Sequence, residues 1–93
     1  MDKITEILVI LQEECAEVTQ AISKIHRFGL GHEHIGSGRG LTNTAILEEE
    51  VGDLLAMIDL LKDNGVLTED GLERSKQAKF TKLKKWSKIY GQD

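Results

Sequence analysis

A chain of 93 residues with net charge −4 fits one small domain, and a core that modest makes self-association the expectation. No proline, four aromatics (Phe28, Phe80, Trp86, Tyr90) and an abundance of Leu, Ile, Glu and Lys predict an all-α domain and exclude a β-sandwich. The acidic balance excludes a duplex-DNA binder. The lone Cys15 excludes an intrachain disulfide and a cysteine–zinc cluster, and the short apolar runs exclude a membrane span or signal peptide, so a soluble, cytoplasmic chain is expected.

The first helix is predicted from an N-cap at Asp2 to about Arg27. Ile4, Ile7, Leu8, Leu11, Cys15, Val18, Ile22 and Ile25 recur at alternating spacings of three and four, the pattern of an amphipathic helix. Cys15 reads as a small core residue. Glu14 and Glu17 fall along one edge of this stripe, with Glu13 further round and Lys24 two turns beyond Glu17. On its own such a trio of acids is a solvated face, although like charges this close repel.

Residues 28–43 interrupt the pattern and hold five of the nine glycines. A connection of this length is either functional or disordered. No Gly-Lys-Ser/Thr follows and no strand precedes it, so it is not a phosphate loop. His32 and His34 with Glu33 make a poorly preorganised metal site. A mobile lid with Arg39 as a phosphate contact is the better functional reading, and plain disorder the simplest one.

The second helix is predicted over about 44–63, stopping at Asn64-Gly65. Its apolar arc (Ile46, Leu47, Val51, Leu54, Leu55, Met57, Ile58, Leu61) covers about half the circumference, more than one neighbour requires, which points to contact with another chain. Glu50 lies inside that arc and Asp53 at its edge. A carboxylate among leucines is costly unless paired or holding a cation. Gly52 in mid-helix costs about 1 kcal/mol relative to alanine, which implies a close backbone approach or room kept beside the carboxylates.

A third helix is predicted from Thr68, with Glu69 and Asp70 where the helix dipole favours them. Leu72, Phe80, Leu83, Trp86, Ile89 and Tyr90 form its stripe. Lys84, Lys85 and Lys88 fall outside it, Lys76 and Lys79 inside, and Lys82 at the border. Lysines can snorkel from such a face, but inward lysines would also suit a polyphosphate. Charge is unevenly spread: residues 1–68 carry 12 acids and 5 bases, residues 69–90 carry 3 acids and 7 bases.

Glu14 with Glu17, and Glu50 with Asp53, are both spaced i, i+3. Antiparallel packing of their helices would bring the two pairs together, and four clustered carboxylates require a cation. Hard oxygen donors point to Mg²⁺, with Mn²⁺ as the substitute. Magnesium held this way works with substrate phosphates, so the expected chemistry is metal-assisted cleavage of a phosphoanhydride.

Glu13-Glu14-Cys15-Ala16-Glu17 (EExxE) and Glu50-Val51-Gly52-Asp53 (ExxD) resemble the paired motifs of the MazG-like all-α nucleoside triphosphate pyrophosphohydrolases. Ser23-Lys24-Ile25-His26-Arg27-Phe28-Gly29 and Lys79-Phe80-Thr81-Lys82 resemble its short single-domain members. The likeness runs from about Leu11 to Trp86. Two departures are the longer gap between the motifs and Lys82 where an arginine is common.

This resemblance implies four-helix packing completed in a homodimer or homotetramer. It also implies Mg²⁺-dependent hydrolysis of a nucleoside triphosphate at the α-phosphorus, giving the monophosphate and pyrophosphate. Glu14, Glu17, Glu50 and Asp53 would hold the metal. Glu13 and Glu14 would be the catalytic residues, Glu13 supporting the ligands, binding a further metal or acting as base for water. Lys24, Arg27, Lys79 and Lys82 would contact the triphosphate; Lys76 joins them on the facing argument alone. Trp86 or Tyr90 reads chiefly as core and secondarily as a base-stacking residue. The competing reading is a non-catalytic module that binds nucleotide or a partner and uses the carboxylates for a structural metal.

Overall fold

A computed structural model describes residues 1–34 and 38–91. The protein is all-α, with three helices: α1 (Lys3–Phe28), α2 (Asn43–Asp63) and α3 (Glu69–Trp86). Among the described residues the only extended pairing is an isolated bridge between Glu33 and Thr42. The chain divides into two compact units, Met1–Leu61 and Lys62–Asp93. No helix is long and apolar enough to cross a membrane.

Local chemistry sets the helix ends. The Asp2 carboxylate accepts from the Thr5 N–H at 2.7 Å, closing one of the unpaired donors of the first turn of α1. This bond holds the Asp2 carboxyl below its ordinary range. At α2 the Thr42 hydroxyl accepts from the Ala45 N–H at 3.1 Å, and at α3 the Thr68 hydroxyl accepts from the Gly71 N–H at 3.0 Å. Past the end of α2, Gly65 adopts φ +74°, the left-handed geometry that favours glycine.

In the first unit, Ile7 and Ala21 of α1 and Ile46 and Leu61 of α2 are buried. Ile7, Glu14 and Ala21 are seven residues apart in turn and so lie along one line of α1. Glu14, predicted at the edge of the stripe, is thus half-buried between two core positions. The helix is rotated about its axis relative to the sequence reading. The same rotation exposes Leu8, Ile22 and Cys15, so Cys15 is not a core residue in this chain.

The second unit differs from expectation more strongly. α3 buries no residue, and it ends at Trp86, so Ile89 and Tyr90 do not extend its stripe. Phe80, Trp86, Ile89 and Tyr90 are exposed, Trp86 to 77%. Lys84 and Lys85 lie over the Tyr90 and Trp86 rings at 5.8 and 5.2 Å. Lysine stems and ammonium groups therefore shield these aromatics in part. Lys62 pairs with Glu69 across the turn between α2 and α3.

The glycine-rich connection has an ordered stem. Residues 29–34 run against 41–44: His34 N–H donates to Leu41 O at 2.7 Å, Asn43 N–H to His32 O at 2.9 Å, and Thr44 N–H to Leu30 O at 3.1 Å. Ile35, Gly36 and Ser37, part of the predicted loop, lie outside the described residues.

The close backbone approach that Gly52 implied is not found: an added Cβ would meet nothing within 4 Å, so the position is open and no contact offsets its helix-propensity cost. Gly52→Ala is expected to stabilise the chain by about 0.5–1 kcal/mol, read as a raised midpoint in urea with an unchanged slope. A lowered midpoint would show that another chain packs closely against this face.

Candidate functional site

The site lies in the first unit, between α1 and α2. Glu14 of α1 approaches Asp53 of α2, while further along α1 Lys24 shares a cavity wall with Ile46, earlier in α2. Rising numbers on one helix therefore meet falling numbers on the other, and the pair runs antiparallel. This brings one carboxylate oxygen each from Glu14, Glu50 and Asp53 within 4.8 Å of one another. Glu14 and Glu50 are half-buried and Asp53 is exposed.

The electrostatics follow from this crowding. Burial pushes the Glu14 carboxyl above its ordinary range, and Asp53, Glu17 and Glu13 push it further. Glu50 is raised by burial first, then by Glu17, Asp53, Glu14 and Glu49. Glu17 thus belongs to the same field although it is outside the group of three. Three converging carboxylates are an all-oxygen set that can hold a hard divalent cation. Exposed acidic groups also gather without one, so the geometry alone names no metal.

Beside the carboxylates is a cavity of about 70 Å³ lined by Glu17, Gln20, Ala21, Lys24, His34, Ile46 and Glu50. Lys24, predicted as a phosphate contact, is half-buried in its wall. Arg27 is exposed, and its guanidinium lies over the Phe28 ring at 4.9 Å. Glu13 is exposed on α1, coupled electrostatically to Glu14. A second, larger hollow of about 540 Å³ lies along Asp70, Glu73, Arg74 and Gln77 of α3 and is open to solvent. Glu73 there is engaged by Gln77 at 2.9 Å and by Lys76 at 3.4 Å, so the carboxylate-lined cavity is the better site despite its size.

Lys76, Lys79 and Lys82 are all exposed on α3 in the second unit, so the inward orientation predicted for Lys76 and Lys79 is not found. Arg39, the predicted loop phosphate contact, makes a two-pronged pair with Glu49 instead, at 3.0 and 2.8 Å. The pairing lowers the Glu49 carboxyl and raises the Arg39 guanidinium.

His32 and His34 diverge. The His32 ring stacks on Phe28 with centroids 5.7 Å apart, whereas His34 lines the cavity. Among the described residues they form no metal group with Glu33.

Three contributors escaped the sequence reading. Gln20 and Ala21 line the cavity, and their distance of one turn from Glu17 could have suggested it. Asn43 is wholly buried beneath the loop stem. Its only sequence signal is an amide side chain at a helix start.

Comparison with protein families, with characterised proteins and with solved structures finds no match to this chain.

The raised carboxyls fix a pH dependence. A carboxyl with a higher folded than unfolded pKa binds more protons when folded, so its contribution to stability falls as pH rises from 4.5 through the raised value. The lowered groups Asp2, Glu49 and Glu73 act the other way, but only as pH drops below the ordinary carboxylate range. In chelator the chain is therefore expected to melt higher at about pH 5 than near neutrality. Glu50→Gln should raise the neutral melting point and flatten this difference. Thermal unfolding followed by circular dichroism checks both, and a steeper pH dependence in the variant contradicts the assignment.

Proposed function

We propose that the protein is a Mg²⁺-dependent nucleoside triphosphate pyrophosphohydrolase of the MazG-like kind, converting a (d)NTP to the (d)NMP and pyrophosphate. The observation that carries this reading is the convergence of Glu14, Glu50 and Asp53 within 4.8 Å, with Glu17 in the same field. These carboxylates come from the two motifs whose pairing the resemblance rests on. The all-oxygen donor set fits Mg²⁺ or Mn²⁺.

Glu14, Glu17, Glu50 and Asp53 would hold the metal. When bound, it would supply an activated water and neutralise charge developing at the α-phosphorus. The carboxylates draw the cation through the repulsion that raises Glu14 and Glu50. Glu13, exposed next to Glu14 on α1, is the proposed acceptor of a proton from the attacking water. Lys24 stands at the cavity wall as the proposed triphosphate contact, and Arg27, on the same helix, is the other proposed one in this unit.

A homodimer or homotetramer belongs to the same proposal. A single chain leaves Leu8 and Ile22 of α1 and Leu55 of α2 exposed, Leu55 to 53%, and it encloses far less volume than a nucleotide needs. Association would cover the first and extend the second.

The test is product analysis with a panel of NTPs and dNTPs, with Mg²⁺ or with chelator. Monophosphate plus pyrophosphate is expected from the native chain. Glu50→Gln is expected to lose at least about 100-fold in kcat/KM, in line with the loss of an electrostatic group at a reacting centre. Diphosphate plus orthophosphate would mean attack at another phosphorus. Metal binding without turnover of any nucleotide would favour the non-catalytic binding module.

A further inference from the structure

The carboxylate cavity, at about 70 Å³, has room for a phosphate group and none for a base. α1 points to where a base would lie. Glu17, Gln20, Ala21 and Lys24 line the cavity, and their spacing of three and four marks one row along the helix. Phe28 is the next member of that row, about 6 Å further along the axis than Lys24. That distance is the scale of one ribose. Phe28 is half-buried. The His32 ring stacks on it, with centroids 5.7 Å apart and planes 23° from parallel. The Arg27 guanidinium lies 4.9 Å from the Phe28 centroid.

The backbone turns His32 back over the end of α1 and ties it there. Gly29 adopts φ +95°, a conformation that glycine enters without steric cost, and its N–H still closes α1 on Ile25 O at 2.8 Å. Three carbonyls of the returning segment are then held. Gly29 O accepts from the Asn43 side-chain amide at 2.9 Å, Leu30 O from the Thr44 N–H and hydroxyl, and His32 O from the Asn43 N–H at 2.9 Å. A ring carried on a tied segment costs a ligand little ordering entropy.

The ring itself is not used up by the fold. His32 is exposed, and apart from the Phe28 stack its ring makes no hydrogen bond or ring contact among the described residues. One face meets Phe28, and the other has no ring against it. Lys24 and Arg27, on the same side of the site, make no ion pair among the described residues.

We propose that His32, backed by Phe28, is a stacking platform for the base of a nucleotide whose phosphate lies at Lys24. Every base has a π-face, so stacking of this kind binds nucleotides without choosing sharply among them. The inference rests on reading the cavity as a phosphate site beside a metal. It deepens that reading by naming the base subsite, and it gives the glycine-rich loop a part in recognition.

The experiment titrates two probes into the full chain with Mg²⁺, followed by amide NMR shifts: adenosine 5′-monophosphate, and ribose 5-phosphate as the equivalent without a base. The monophosphate is expected to bind about tenfold tighter than ribose 5-phosphate and to shift the amides of residues 28–32. His32→Ala should abolish most of that advantage while ribose 5-phosphate affinity stays within about twofold. His32→Phe, which keeps a stacking face, should restore it.

A native chain that binds the monophosphate no better than ribose 5-phosphate, or binds neither, overturns the proposal. So does unchanged monophosphate affinity in His32→Ala, an equal loss for ribose 5-phosphate, or a loss that His32→Phe does not restore. Nucleotide turnover, measured alongside, separates the two readings. A native chain that binds the monophosphate through His32 but hydrolyses no nucleotide retains this inference and loses the hydrolase. One that hydrolyses nucleotide, with monophosphate affinity unchanged in His32→Ala, does the reverse.

Discussion

The constraint on which the first unit depends is that its hydrophobic packing and its carboxylate crowding are the same event. Glu14 lies on the line of α1 that also carries Ile7 and Ala21, both buried. Glu50 lies one turn from the buried Ile46 of α2. Bringing these apolar positions together removes them from water, the dominant favourable term in folding. The same approach delivers Glu14, Glu50 and Asp53 to within 4.8 Å of one another. Their repulsion in this arrangement is relieved by a proton or a cation. A solvated acidic face would relax by turning its side chains outward; here burial is the largest cause of the upward shift at both Glu14 and Glu50.

Around this pair of helices the connection is anchored at two places by different means. Near α1 and the start of α2, the side-chain amide of the wholly buried Asn43 bonds Gly29 O and the His34 ring. Burial of the amide makes both bonds costly to break, because an unpaired buried donor or acceptor keeps its desolvation penalty. Further along, Arg39 reaches Glu49 with both guanidinium nitrogens, but the pair is about half exposed. An exposed ion pair contributes little and weakens with salt. The stem at His34 is therefore the firm anchor and Arg39 the exchangeable one.

Helix boundaries were legible because their causes are local. Asp2, Thr68 and Gly65 act within three or four residues, and each sits where the spacing placed it. Glu50 and Asp53 were legible because a carboxylate in an apolar arc breaks a pattern. The rotation of α1 was not legible. A stripe as broad as Ile4 to Ile25 tells which half of a helix is apolar, not which line within it meets the neighbour. Hence Glu14 proved more central than expected and Cys15 less so. Asn43 was hidden for another reason: its partners Gly29 and His34 are 14 and 9 residues away, and the loop path that joins them has no periodicity to read. In α3 the periodicity was real but did not translate into burial, since an amphipathic pattern states a preference and not the presence of a surface to satisfy it.

Under the proposed reading, the size of the cavity divides recognition into two parts. The space beside Glu17 and Glu50 admits a phosphate group and excludes a nucleoside, so charge is read between α1 and α2 while base and sugar must lie elsewhere. Carboxylates and Lys24 act through charge and metal geometry, which are the same for every nucleoside triphosphate. Selectivity among bases must then come from apolar and stacking surface outside this cavity. Residues of that kind carry no motif: they are ordinary leucines, isoleucines and aromatics. That separation explains why the paired acidic motifs point to a reaction class and leave the choice of nucleoside unspecified.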